Sequence, residues 1–88
     1  MLILKPNCEC CDVDLPPESQ NARVCSFECT FCNDCADMKF HGVCPNCGGG
    51  FVPRPIRPTK HLEKHPASAV RFNKGHAECA SYASSITR

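Results

Sequence analysis

The chain has no tryptophan and one tyrosine among its 88 residues, and five phenylalanines supply the remaining aromatic rings. A chain this short with so few large rings buries too little apolar surface to be comfortably stable unaided. No stretch approaches the roughly 20 apolar residues of a membrane-spanning helix. The opening Met1-Leu2-Ile3-Leu4-Lys5-Pro6 has four apolar residues and then stops. A secretory signal needs a basic start, a longer apolar run and a small-residue cleavage site. We therefore expect a cytoplasmic protein with no membrane partner, in a compartment where thiols stay reduced. Paired carboxylates, a nucleophile constellation and a phosphate loop in a supporting context are also missing. The expectation is a protein that is not an enzyme.

Cysteine is abundant. There are ten, nine of them between Cys8 and Cys47, with Cys79 alone near the C-terminus. That density marks a cross-linked scaffold, and with reduced thiols it points to metal or redox chemistry rather than disulfides. The cysteines fall into four pairs: Cys8 and Cys11, Cys25 and Cys29, Cys32 and Cys35, Cys44 and Cys47. Two cysteines separated by two residues can close on one ion through a tight turn, and Zn²⁺ takes four tetrahedral ligands, with thiolate among the preferred. A glycine after such a turn, as in Cys44-Pro45-Asn46-Cys47-Gly48, lets backbone amides face sulfur. Four pairs supply eight ligands, enough for two Zn²⁺. Their order permits a sequential arrangement, first with second and third with fourth. It equally permits a cross-braced one, first with third and second with fourth.

The run Cys29-Thr30-Phe31-Cys32-Asn33-Asp34-Cys35 and the closing Cys44-Pro45-Asn46-Cys47 resemble the RING finger family. The resemblance implies cross-bracing: Cys8, Cys11, Cys32 and Cys35 at one site, and Cys25, Cys29, Cys44 and Cys47 at the other. The implied fold is a small metal-stabilised α+β unit, RING-like or treble-clef, with a short helix after Cys35 and an irregular C-terminal tail. Over Leu4 to about Pro58 the chain also resembles a narrower group, the bacterial domain-of-unknown-function family 1272. Lys5-Pro6-Asn7-Cys8-Glu9-Cys10-Cys11-Asp12, Leu15-Pro16-Pro17 and Cys25-Ser26-Phe27-Glu28-Cys29-Thr30-Phe31-Cys32 carry that likeness, together with Cys44-Pro45-Asn46-Cys47-Gly48-Gly49. It implies a small bacterial cytosolic protein and supplies no activity.

Other residues take places around this frame. Phe27, Phe31, Val43 and Phe40 are expected to form a small core between the ions. Asp34 to His41 reads as a short helix stopping at Gly42. Glu28 and the aspartates read as solvated surface. Cys10 breaks the spacing and is a spare, either a free thiol or a competitor for the first site; Cys79 is a second spare. After Gly48-Gly49-Gly50, prolines at 53, 55 and 58 read as an extended linker. We place the domains at 1–52 and 53–88. Thr59 is expected to cap a turn through Leu62, ended by Pro66. Cys79, Tyr82, Ala83 and Ile86 recur on one helical stripe. His61, His65, His76 and Cys79 have ligand-like spacing, but solvated histidines on a basic tail are the favoured reading over a third zinc.

Charge divides the chain. Residues 1–52 carry three basic and seven acidic side chains, a net of −4, and residues 53–88 carry seven and two, a net of +5. Eight thiolates on two Zn²⁺ deepen the first figure to about −8. The leading expectation is a non-catalytic zinc module for protein–protein interaction, with a homodimer among the candidate assemblies. Nucleic-acid binding through Arg54, Arg57, Lys60, Lys64, Arg71 and Lys74 is the alternative, against which the acidic finger argues. A thiol-based redox or zinc-release switch is a further alternative. Ubiquitin ligase activity is disfavoured. It rests on fold analogy, there is no tryptophan, and Asp12 stands where such domains often carry an apolar residue.

Overall fold

Strand-forming residues are scarce, and the sheet they build is small. In the computed structural model, which describes residues 2–72, Ala22–Val24 forms β1 and Thr30–Cys32 forms β2. The two are antiparallel, with Arg23 opposite Phe31. The loop between them holds the second cysteine pair. Val52–Pro53 forms β3 on the other edge of β1, giving the order β2-β1-β3. A proline is tolerated on such an edge, where its missing N–H costs no ladder bond. The first cysteine pair precedes the sheet. A backbone bond from Glu9 N–H to Thr30 C=O, 2.9 Å, docks it on β2.

The helix expected at 34–41 is a tighter-bounded and wider turn. Cys35–Lys39 is π-helical, closed by the Phe40 N–H bonding to Cys35 C=O at 3.0 Å. The wide turn carries Phe40 back over the sheet, where its ring meets Phe31 edge-on at 5.0 Å. His41 and Gly42 follow with φ of 54° and 80° and stop the helix. Later in the chain Thr59–Leu62 forms α1. Thr59 is its first residue rather than its cap, because Pro58 holds the N-cap position and contributes no side-chain bond.

The core joins buried cysteines of both clusters to Phe31, which is fully buried. Phe40 and Phe51 pack edge-on against it, Phe51 at 5.6 Å. Leu15 and Ala22 are buried in the same cluster, and Leu4 and Ala36 are also buried. Two expected core members are outside. Phe27 is 76% exposed and Val43 about half exposed. Phe27 sits in the middle of the Cys25–Cys29 loop, whose amides turn inward to sulfur, so its side chain is turned to solvent.

The segment after Gly50 packs on the finger. Arg54 is only 4% exposed. Its guanidinium donates to three backbone carbonyls: Lys5 at 2.9 Å, Leu15 at 3.2 Å and Pro16 at 2.9 Å. Burial lowers its pKa, and the carbonyl dipoles offset part of that desolvation. Arg57 bridges Leu2 C=O at 2.7 Å and His65 C=O at 2.6 Å. The apolar stripe from Cys79 to Ile86 lies outside the described residues, as do His76, Lys74 and Arg88.

The core assignment predicts a contrast. Phe31→Ala removes a central ring and should cost about 3–5 kcal/mol. Phe27→Ala should stay within about 0.5 kcal/mol of the parent. Thermal unfolding of the metal-loaded variants checks both.

Candidate metal centre

Three loops are built so that backbone amides aim at cysteine sulfur. In the first, Cys10 and Cys11 N–H groups point at Cys8 Sγ, 3.4 and 3.5 Å away. In the second, Phe27 and Cys29 N–H groups point at Cys25 Sγ, both at 3.3 Å. In the third, Asn46 N–H lies 3.4 Å from Cys44 Sγ, and Gly49 N–H lies 3.4 Å from Cys47 Sγ. Amide donors favour the thiolate over the thiol.

The first and third loops share a backbone plan. Asp12 N–H bonds Cys8 C=O and Cys8 N–H bonds Val13 C=O; Gly48 N–H bonds Cys44 C=O and Cys44 N–H bonds Gly49 C=O. Both plans need a left-handed residue at the fifth position. Gly48 takes it with φ 78°, and Asp12 with φ 68°. Glycine does so freely and aspartate with tolerance.

The loops and β2 bring the sulfurs into two groups. Cys8, Cys11, Cys32 and Cys35 place all four Sγ atoms within 4.8 Å of one another. Cys25, Cys44 and Cys47 do the same. The first pair thus meets the third, and Cys25 of the second pair meets the fourth. Cys29 is outside the mutually close trio; its sulfur accepts from Asn46 Nδ2 at 3.2 Å. Among the described residues, His61 and His65 join no such group. His76 and Cys79, their expected companions, lie outside the described residues.

Size and chemistry both fit a metal. With Zn–S near 2.3 Å, a tetrahedral site has an S···S edge of about 3.8 Å. Cys11 Sγ and Cys32 Sγ are 3.7 Å apart. The thiols also perturb one another. Cys8 is drawn down to about 2 by hydrogen bonds from Cys32 and then Cys35. Cys35 is pushed far above the ordinary thiol range by Cys32 and then Cys8. In the second group burial raises Cys25 to about 12 and raises Cys44 as well, while the Gly49 N–H leads in lowering Cys47 to about 7. Crowded thiols therefore cannot all ionise together; a divalent ion among them favours every thiolate at once.

Two residues near these groups depart from their sequence reading. Cys10 is neither a free thiol nor a competitor for the first group, because it is disulfide-bonded. The eight cysteines of the four pairs are all free. Glu9, to which the sequence reading gave no role, is fully buried. Its Oε2 accepts from Thr30 N–H at 2.6 Å and from Lys5 Nζ at 3.0 Å. With the Glu9 N–H to Thr30 C=O bond, the residue grips Thr30 from both sides and so ties the first loop to β2. Its position inside a cysteine pair was the available signal, since a residue there is held against whatever the pair packs on.

The profile of the family described as a protein of unknown function, DUF1272, matches residues 1–57. The chain belongs to the DUF1272 family. It is 61% identical over 74 residues to an uncharacterized protein of Rhizobium meliloti (strain 1021), covering 84% of this chain and 88% of that one. No solved structure matches it. The matched region of this DUF1272 chain contains all eight paired cysteines and Glu9. Among the described residues no helix is long and apolar enough to cross a membrane.

Glu9→Ala should leave the Thr30 N–H and the Lys5 ammonium without their acceptor, at a cost of about 1–3 kcal/mol. The expected signature is a lowered unfolding temperature with the metal content of the folded protein unchanged.

Proposed function

We propose that the chain is a non-catalytic zinc module, RING-like in its ligand order, that presents a metal-stabilised surface to a protein partner in the cytoplasm. One ion would be held by Cys8, Cys11, Cys32 and Cys35. The other would be held by Cys25, Cys44 and Cys47, with Cys29 as the fourth ligand. All-thiolate tetrahedral sets suit zinc, and a site closed by four protein ligands has a structural role because no position is open to water or substrate. The zinc would neutralise crowded thiolates and fix the three loops; the surface those loops carry would do the binding.

The observation that carries this reading is the meeting of the first pair with the third and of Cys25 with the fourth pair. It makes one unit of the whole segment from Cys8 to Cys47, so the metals stabilise a single rigid body. The nucleic-acid alternative loses three of its six basic residues to contacts within the chain, while Lys60 and Lys64 stay exposed. Arg54 and Arg57 are spent on backbone carbonyls, and Arg71 pairs with Asp12 and Asp14. For the redox alternative, a disulfide-bonded Cys10 would act through reduction of that bond rather than as a spare thiol. Ubiquitin transfer would rest on analogy alone.

The test is affinity capture from the native cell, using the full chain with zinc and the same chain stripped by chelator. The reading predicts a protein retained by the zinc-loaded form and lost from the stripped one. Recovery of nucleic acid alone, released by moderate salt, would contradict it.

A further inference from the structure

The first cysteine loop carries a second device that faces away from the sulfurs. Asn7, immediately before Cys8, is fully buried. Its Oδ1 accepts the Phe72 N–H at 3.0 Å and its Nδ2 donates to the Phe72 C=O at 2.8 Å. A side-chain amide used in this way imitates a strand edge and reads an extended backbone. The same Nδ2 also contacts Cys8 C=O and Asp12 Oδ1, both at 3.0 Å, which orients the amide.

Side chains of the same loop read the residues around that backbone. Arg71 Nε is 3.0 Å from Asp12 Oδ1, and its two terminal nitrogens reach Asp14 Oδ1 at 2.9 Å and Asp12 C=O at 2.6 Å. The left-handed backbone of Asp12 allows one residue to offer both its carboxylate and its carbonyl. Lys5 Nζ lies 4.7 Å from the centre of the Phe72 ring, within cation–π range. Upstream, Ser68 N–H bonds Leu4 C=O at 2.9 Å, while the Val70 side chain is exposed and unread. The recognised pattern is an arginine followed by an aromatic residue, preceded by a bend at Ala69-Val70 in which Val70 N–H donates to Ser68 Oγ at 3.0 Å.

We propose that Asn7, Asp12, Asp14 and Lys5 form a docking cleft for such an Arg-aromatic segment of a partner protein, and that Arg71-Phe72 fills it in cis as a removable plug. This rests on the binding-module reading above and names the partner's chemistry. The plug is suited to exchange. Asp14 is 80% exposed and Arg71 45% exposed, and ion pairs so open to water contribute little net stability. The cis segment holds its place chiefly by effective concentration, on the order of millimolar for a short tether. The cleft side is anchored: Asn7 and Asp12 flank the Cys8–Cys11 pair, so it takes shape only when that loop is closed. The negative finger adds attraction for a cationic segment.

The probe is a fluorescein-labelled amidated peptide with the sequence of residues 66–72, followed by anisotropy against zinc-loaded full-length chains. The double variant Arg71→Ala/Phe72→Ala empties the cleft, and Arg71→Glu, which repels Asp12 and Asp14, empties it by a second route. The emptied chains should bind the peptide at least tenfold tighter than the parent. Adding Asp14→Asn, or replacing the peptide's arginine by alanine, should weaken binding by a similar factor. No binding to either emptied chain, or equal binding by emptied and parent chains, would overturn the proposal. So would a parent dimer abolished by Arg71→Ala, because the occupant would then be a second copy. Retained zinc and a captured partner alongside peptide failure would leave the binding-module reading standing; loss of both would remove both.

Discussion

Four sulfurs held within 4.8 Å of one another cannot all lose their protons unless a cation sits among them. Their Coulomb repulsion in a partly dry site is too large. Much of the described structure is arranged around that constraint. Each loop points amides at sulfur, the aromatic core packs with cysteines of both groups, and the sheet has strands of two or three residues. Such short strands have little independent stability. A metal in each group would hold them in register, because β2 supplies Cys32 and the β1–β2 loop supplies Cys25.

Much of this frame was legible from spacing. Pairs of cysteines two or three residues apart can only close through tight turns, and those turns are present. The pairing of distant cysteines was not legible from residues alone, since sequential and interleaved orders satisfy the same local chemistry; the family resemblance supplied the order seen. Burial was read less well. Phe27 and Phe31 look alike in sequence, yet one lies in an outward loop and the other at the centre of β2. Glu9 and Arg54 carry charges that propensity assigns to solvent. Each is buried because backbone groups elsewhere in the fold supply its partners: Thr30 for Glu9, and three carbonyls for Arg54. Such long-range pairing leaves no periodic trace.

The charge asymmetry of the two halves also acquires a physical meaning. The arginines at 54, 57 and 71 each return to the N-terminal half, two through carbonyls and one through carboxylates. Three arginines of the basic segment are therefore structural partners of the N-terminal half, and only Arg71 meets its carboxylates. The contacts differ in depth. Arg54 is sealed in and braces the fold, whereas Arg71 lies at the surface where an equivalent group can replace it.

Metal binding and folding are proposed to be one event. The most direct test is a zinc titration of the reduced, metal-free chain followed by amide NMR. Dispersed, folded resonances should appear only as zinc is added and should be complete at two equivalents per chain. A dispersed spectrum before any zinc is added, or completion at one equivalent, would contradict it.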